Sequence, residues 1–114
     1  MSLQASFKIF FWAAILAVMI LSLLPITVPH ELVSWQDKVH HSLAYGLLFL
    51  LAISAYGYRF ALWRIGVVLT LFGLLIEIAQ SMTAYRYGDP LDFLANISGI
   101  LLVGIAYRLR RRGS

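Results

Sequence analysis

Glu77 is the ionisable residue whose position carries the most chemical information, because it interrupts the apolar run Leu-Phe-Gly-Leu-Leu-Ile-Glu-Ile-Ala-Gln. If this run lies in a membrane, an ionised carboxylate there costs on the order of 3 kcal/mol on insertion scales and must face the protein interior. On a helix, Gln80 and Ser81 at i+3 and i+4 lie on the same side. Two interpretations remain open: a buried polar contact that locks helices together, and a carboxyl group that handles protons or a ligand.

A second polar group is Asp37-Lys38-Val-His40-His41-x-x-x-Tyr45. The spacing of Asp37, His41 and Tyr45 places them along one face of a helix, with His40 pointing elsewhere. Such a face can pair an imidazole with a carboxylate for acid–base work or ligand binding. The simpler alternatives are that Asp37 caps the helix start and that His41 is a neutral, hydrogen-bonded histidine.

A third polar group is Arg86-Tyr-Gly-Asp89-Pro90-Leu-Asp92-x-x-x-Asn96-x-x-Gly99. Asp89 before a proline is typical of a helix N-cap, which puts Asp92 in the first turn. Asp92 and Asn96 are one turn apart, and Ala95 with Gly99 forms a small-x-x-x-small pair that lets another helix approach closely. We therefore expect Asp92 and Asn96 to face a helix interface, within reach of the other two groups and of Arg86.

Four apolar segments must position these groups, at about 7–24, 39–58, 61–82 and 91–107 of the 114 residues. Each is roughly 17 to 22 residues, which is the length at which a helix crosses the ~30 Å hydrocarbon core of a bilayer. None alternates as a barrel strand does, and backbone amides in lipid must be paired internally, so we predict helices. The first segment resembles a signal peptide in its leading Lys8 but lacks a small-x-small cleavage site, so we expect it to be retained.

Charge and composition give the expected setting. The chain is 61% hydrophobic and 12% charged, too apolar for a soluble domain of this size. Lys8, Arg59, Arg64 and the Arg108–Arg112 tail fall at one end of the predicted spans, so the positive-inside rule puts both termini in the cytoplasm. We predict an all-α polytopic membrane protein, with residues 1–114 forming a single four-helix domain and all five acidic residues on the outer side.

Several functions are excluded or disfavoured. The chain contains no cysteine, so disulfide, zinc-thiolate and thiol-nucleophile chemistry are excluded. It has no phosphate-binding glycine loop, so we do not expect nucleotide hydrolysis. The net charge of +4 is explained by membrane topology, so no nucleic-acid partner is predicted. No cofactor is predicted either.

The three polar groups together resemble the VanZ-like family of small bacterial membrane proteins. The matching pieces occur in the family's order and cover about residues 37 to 104: Asp37-Lys38-x-x-His41-x-x-x-Tyr45, Glu77-x-x-Gln80, Arg86, Asp89 and Asp92-x-x-x-Asn96-x-x-Gly99. Ser42 departs from the pattern, since a large apolar residue is usual after the histidine. The resemblance implies a multi-pass protein of a bacterial cytoplasmic membrane, and the family's name member is linked to resistance to the glycopeptide teicoplanin.

Three functional hypotheses follow. The first is a protein whose outward-facing polar pocket binds or modulates a cell-envelope lipid or a glycopeptide-antibiotic target. Its predicted ligand-binding residues are Asp37, Lys38, His41, Tyr45, Glu77, Gln80, Arg86, Asp92 and Asn96. The second is an intramembrane enzyme acting on an envelope lipid by acid–base or metal-assisted chemistry, with His41, Glu77 and Asp92 as candidate catalytic residues. No HExxH-like spacing supports a metal, so none is predicted. The third is a transporter, which with four spans would require an oligomer.

Overall fold

The structure is a computed structural model that describes residues 2–24, 35–83 and 90–113, leaving aside the side chains of 35–37 and 113. Regular secondary structure in these ranges is entirely helical and consists of α1 (Leu3–Leu23), α2 (Trp35–Tyr56), α3 (Leu62–Ser81) and α4 (Pro90–Gly113). All four are long and apolar enough to cross a membrane. The prediction of an all-α chain with four membrane-spanning helices is confirmed, and each predicted span overlaps one helix.

Local sequence explains where these helices begin and end. The Ser2 hydroxyl oxygen accepts a hydrogen bond from the Ala5 amide at 3.0 Å and so caps the start of α1. Leu24, with ψ of 141°, ends α1 in an extended conformation, which a following proline favours. Pro90 is the first residue of α4, as its fixed φ and missing amide proton predict. Residues 57–59 form the short turn between α2 and α3.

The outer surfaces of the helices are largely apolar, and α2 lies at the centre of the bundle. It contacts each of the other three helices, most extensively α4. In the most apolar stretch of each helix, only 6% of the residues are buried in α1, against 39% in α2. Large hydrophobic side chains such as Leu43, Val68 and Leu102 are exposed. An apolar surface this extensive is unfavourable in water and matches a lipid environment, which supports a multi-pass membrane protein.

The backbones of α2 and α4 approach closely at Gly99. A Cβ atom at Gly99 would lie 2.0 Å from the carbonyl oxygen of Ser42 and 3.1 Å from the amide nitrogen of Gly46. The Ser42 and Ser98 hydroxyl oxygens are 3.1 Å apart, within hydrogen-bonding distance across the same contact. The prediction that Gly99 permits close helix approach is confirmed, and Ser42 lies on the crowded side of that contact.

At the opposite end of the bundle, polar side chains tie α1 to the end of α2. The Trp12 indole N–H donates to the Tyr56 hydroxyl at 2.7 Å, and Lys8 donates to the Tyr58 hydroxyl at 3.2 Å. Amphipathic aromatic side chains at this position are typical of a membrane interface. The two ends of the bundle therefore differ in character: aromatic and basic at this end, and carboxylate- and imidazole-bearing at the other.

Candidate functional site

His41, Glu77 and Asp92 come together inside the bundle, although they lie on three different helices. One potential ligand atom from each lies within 4.8 Å of the others. Glu77 and Asp92 are buried, at 7% and 6% exposure, while His41 is partly exposed. The start of α2, the end of α3 and the start of α4 meet here. The prediction that Glu77 faces the interior near His41 and Asp92 is confirmed.

The ring of His41 is oriented from both of its nitrogens. Nδ1 lies 3.2 Å from Asn96 Oδ1, and Nε2 lies 3.7 Å from Asp92 Oδ2. An amide oxygen only accepts hydrogen bonds, so Nδ1 carries the proton that is donated to Asn96. In the neutral ring, Nε2 then carries a lone pair directed toward the two carboxyl groups.

Asp92 is held from its other oxygen by a lysine. Lys38 Nζ lies 2.5 Å from Asp92 Oδ1, with 24% of the lysine side chain exposed and 9% of the aspartate side chain. Two opposite charges at this burial stabilise each other only where the geometry is close, as it is here. Lys38 was predicted to contact an anionic ligand. In the structure, Lys38 forms this ion pair with Asp92, which joins α2 to α4.

Tyr45 and Gln80, both predicted site residues, also face inward. Tyr45 is 3% exposed, and its buried hydroxyl has no hydrogen-bond partner among the residues that the structure describes. Gln80 is 6% exposed and donates from Nε2 to the backbone oxygen of Ser22 at 3.0 Å, which joins α3 to the end of α1. Ser81 was expected on the same side as Glu77, but it is exposed and donates to the Ile78 carbonyl of its own helix.

Gly73 creates the space in which Tyr45 and Asn96 sit. A Cβ atom there would lie 3.1 Å from Tyr45 Cε2 and 3.2 Å from Asn96 Nδ2, so a larger residue would crowd both side chains. Gly73 was not among the residues predicted from the sequence. The available signal was its position one turn before Glu77, which places it on the same helix face.

A cavity of about 230 Å³ opens beside this cluster. It is lined by Val18, Leu21, Ser22, His40, His41, Ala44, Tyr45, Ile76, Glu77, Gln80 and Asn96. Six of these residues were not predicted as site residues: His40, which is exposed at the border, Ala44, Ile76 and the three residues of α1. The sequence of α1 does not reveal that Ser22 lines the cavity, because Ser22 takes part through its backbone oxygen.

The remaining predicted site residues lie outside what the structure describes. Asp37 belongs to the first turn of α2, but its side chain is not among the described ones. Arg86, and Asp89 as the expected N-cap, also lie outside the described residues.

The assembled groups offer one imidazole nitrogen and two carboxylates, which is a donor set that can transfer protons or bind a divalent cation. No metal was predicted from the sequence because it has no HExxH-like spacing. The three donors instead converge from three helices, an arrangement that spacing along one helix does not reveal. The site is therefore a polar cluster at the edge of a small cavity, in a bundle whose outer helix surfaces are largely apolar.

Comparison with known proteins adds no match. No family model matches the chain, and no curated protein or solved structure matches it significantly.

Proposed function

We propose that this chain is a VanZ-like protein of the bacterial cytoplasmic membrane whose polar cavity binds the head group of a cell-envelope lipid. The observation that carries this proposal is the cavity of about 230 Å³, which is lined partly by polar side chains and lies at one end of a bundle with largely apolar outer surfaces. Polar side chains in a membrane protein are costly and concentrate where a ligand or an ion pathway uses them. The support for VanZ-like membership is the ordered residue pattern from Asp37 to Gly99.

The size and lining of the cavity favour a lipid over a free small molecule. Its volume lies below the ~300–1,000 Å³ of sites that enclose a drug-sized ligand, so it accommodates a head group and leaves acyl chains outside. Val18 and Leu21 of α1 form its apolar wall, along which such a chain can remain in the membrane. The Gln80 amide, which donates one N–H to Ser22, provides its second N–H for phosphate or carbonyl oxygens of the head group.

The proposed partner class includes the lipid-linked targets of glycopeptide antibiotics. The name member of the VanZ-like family is linked to resistance to teicoplanin, which is a glycopeptide. An outward-facing cavity would act on molecules of the outer leaflet. The distribution of basic residues supports this orientation, because Lys8, Arg59, Arg64 and Arg108 lie at the end opposite the cavity.

Orientation can be tested with single cysteines, since the natural chain contains none. His40→Cys lies at the cavity end and Tyr58→Cys lies in the opposite turn, and both positions are exposed. In intact cells, a membrane-impermeant maleimide should label His40→Cys and leave Tyr58→Cys unlabelled until the cells are opened. Labelling of Tyr58→Cys alone would reverse the proposed orientation.

Lipid binding can be tested by filling the cavity. Ala44 lines the cavity, while its neighbour Leu43 is 66% exposed on the lipid-facing surface. Native mass spectrometry of the detergent-purified protein should show a copurifying lipid in the wild type and in Leu43→Phe, and none in Ala44→Phe. Equal lipid retention by the two phenylalanine variants, or its absence from the wild type, would contradict the proposal.

A second candidate function, an intramembrane enzyme acting on an envelope lipid, is favoured by the cluster of His41, Glu77 and Asp92. A histidine 3.7 Å from a carboxylate is positioned to exchange protons with a substrate in the adjacent cavity. The test is to incubate purified protein with total envelope lipids and analyse the products by mass spectrometry. Loss of a product in Glu77→Gln with retained lipid binding would identify an enzyme.

A further inference from the structure

We infer that His41, Glu77 and Asp92 form a binding site for one divalent transition-metal ion, of which Zn²⁺ is the best match. The inference does not rest on lipid binding, because it concerns donor atoms that the fold itself assembles. One imidazole nitrogen and two carboxylate oxygens make three protein ligands, which leaves the fourth position of a tetrahedral ion for water or another ligand. This composition is typical of zinc sites that keep an exchangeable position.

The separations of the donor atoms are close to those that a metal requires. With metal–ligand distances of roughly 2.0–2.2 Å, two ligands of a tetrahedral ion lie about 3.4 Å apart. His41 Nε2 and Asp92 Oδ2 are 3.7 Å apart, and all three donor atoms lie within 4.8 Å of one another.

The His41 ring is held in the orientation that a metal ligand needs. Histidine ligands usually donate their second ring N–H to an oxygen, which fixes the tautomer and directs the other nitrogen at the metal. Asn96 Oδ1, 3.2 Å from Nδ1, supplies that oxygen. Asn96 is 2% exposed, so the support comes from a side chain that is itself fixed by packing.

Asp92 is likewise held without losing its capacity to bind a metal. Lys38 takes Oδ1, and Oδ2 is the oxygen that faces His41. Ligating carboxylates commonly have one oxygen on the metal and the other in a hydrogen bond to the protein. The lysine therefore acts as a positioning residue for the aspartate.

The Tyr45 hydroxyl is an independent observation that points to a ligand at this place. It is buried, has no hydrogen-bond partner among the described residues and belongs to a side chain that lines the same cavity as Glu77. A buried hydroxyl normally has a partner. Water on the open position of a metal at this cluster would supply one.

Cobalt(II) is a suitable probe, because it substitutes for Zn²⁺ and its visible absorption reports coordination. Protein purified in detergent and treated with a chelator should bind about one Co²⁺ per chain, with d–d bands characteristic of nitrogen and oxygen ligands, and Zn²⁺ should displace it. Glu77→Gln should abolish these bands, and Asn96→Leu should weaken binding about 10- to 100-fold. His40→Ala is the matched control, since this neighbouring imidazole lies outside the cluster, and it should bind as the wild type does.

Absence of a stoichiometric Co²⁺ or Zn²⁺ site in the wild-type protein would overturn the inference without any variant. So would a Glu77→Gln protein that binds Co²⁺ with wild-type affinity and spectrum, or a His40→Ala protein that loses binding. Lipid copurification is measured on the chelated protein, so failure of the metal site and failure of lipid binding give separate results.

Discussion

Gly99→Ala should separate α2 from α4 at their closest contact. The new Cβ would lie 2.0 Å from the Ser42 carbonyl oxygen and 2.8 Å from its carbonyl carbon, whereas ordinary van der Waals contact begins at 3.4 Å. The separation must therefore increase by about 1.4 Å. The atoms that the new Cβ would meet are backbone atoms of Ser42 and Gly46 in α2, so no side-chain rotation relieves the overlap.

The energetic cost follows from this displacement. Inserting a methyl group into a well-packed contact typically costs about 1–3 kcal/mol, and a gap of roughly 0.5–1 Å already loses a quarter to a half of each dispersion contact. A shift of this size exceeds that gap and affects the most extensive helix pair in the bundle. We expect a loss of about 3 kcal/mol in the free energy of unfolding. Packing is also the main force between membrane helices, because lipid offers no hydrophobic advantage for association.

The assay is unfolding in mixed detergent micelles, followed by the fluorescence of the tryptophans. Gly66→Ala is the matched control, because its Cβ would lie 3.6 Å from the Phe49 ring and 3.7 Å from Ile100 Cγ2, both of which are ordinary contacts. The control should leave stability unchanged or raise it by up to about 1 kcal/mol, as helix propensity predicts. If Gly99→Ala unfolds within about 1 kcal/mol of Gly66→Ala, the close approach of the two helices is refuted.

Two polar contacts, Lys38 with Asp92 and Trp12 with Tyr56, can be tested by the same unfolding measurement. Lys38→Met should lower the free energy of unfolding by about 3 kcal/mol, because it leaves the buried Asp92 carboxylate without its ammonium partner. Adding Asp92→Asn should recover most of that loss. A double variant no more stable than the single one would contradict the ion-pair argument. Trp12→Phe should cost about 1 kcal/mol, because the Tyr56 hydroxyl loses its indole donor. Trp63→Phe should cost less, because Trp63 is similarly exposed but makes no side-chain hydrogen bond among the described residues. Equal losses would show that the bond between Trp12 and Tyr56 does not contribute.

Much of the fold could be predicted because a membrane restricts the backbone structures that an apolar segment can adopt. Length and apolarity predict a helix for each segment, since no other backbone structure satisfies its amides within such a span. Pro90 marked the start of α4, and helical spacing placed Asp92 and Asn96 on one face. The high cost of a carboxylate in lipid then required Glu77 to face inward, and the structure bears this out.

The details of the site could not be predicted, because they depend on how helix faces meet. Spacing along α2 shows which side His41 occupies, but not that Asn96 of another helix accepts its Nδ1 proton. It did not show that Lys38 would bind Asp92, because that contact joins residues far apart in sequence. The space for Tyr45 depends on Gly73 of α3, and a glycine inside an apolar run gives no local signal of what packs against it.

The amino-acid sequence alone determined the number of helices, the placement of His41, Glu77 and Asp92 at the same end of the bundle and the side of α3 that must avoid lipid. These features follow from local geometry and from the free energy of placing charge in hydrocarbon. Tertiary structure decided which donor atoms converge and which oxygen of Asp92 remains for His41. Those relations arise from the crossing of three helices, whose rotation and separation are set by packing at contacts such as Ser42 with Gly99.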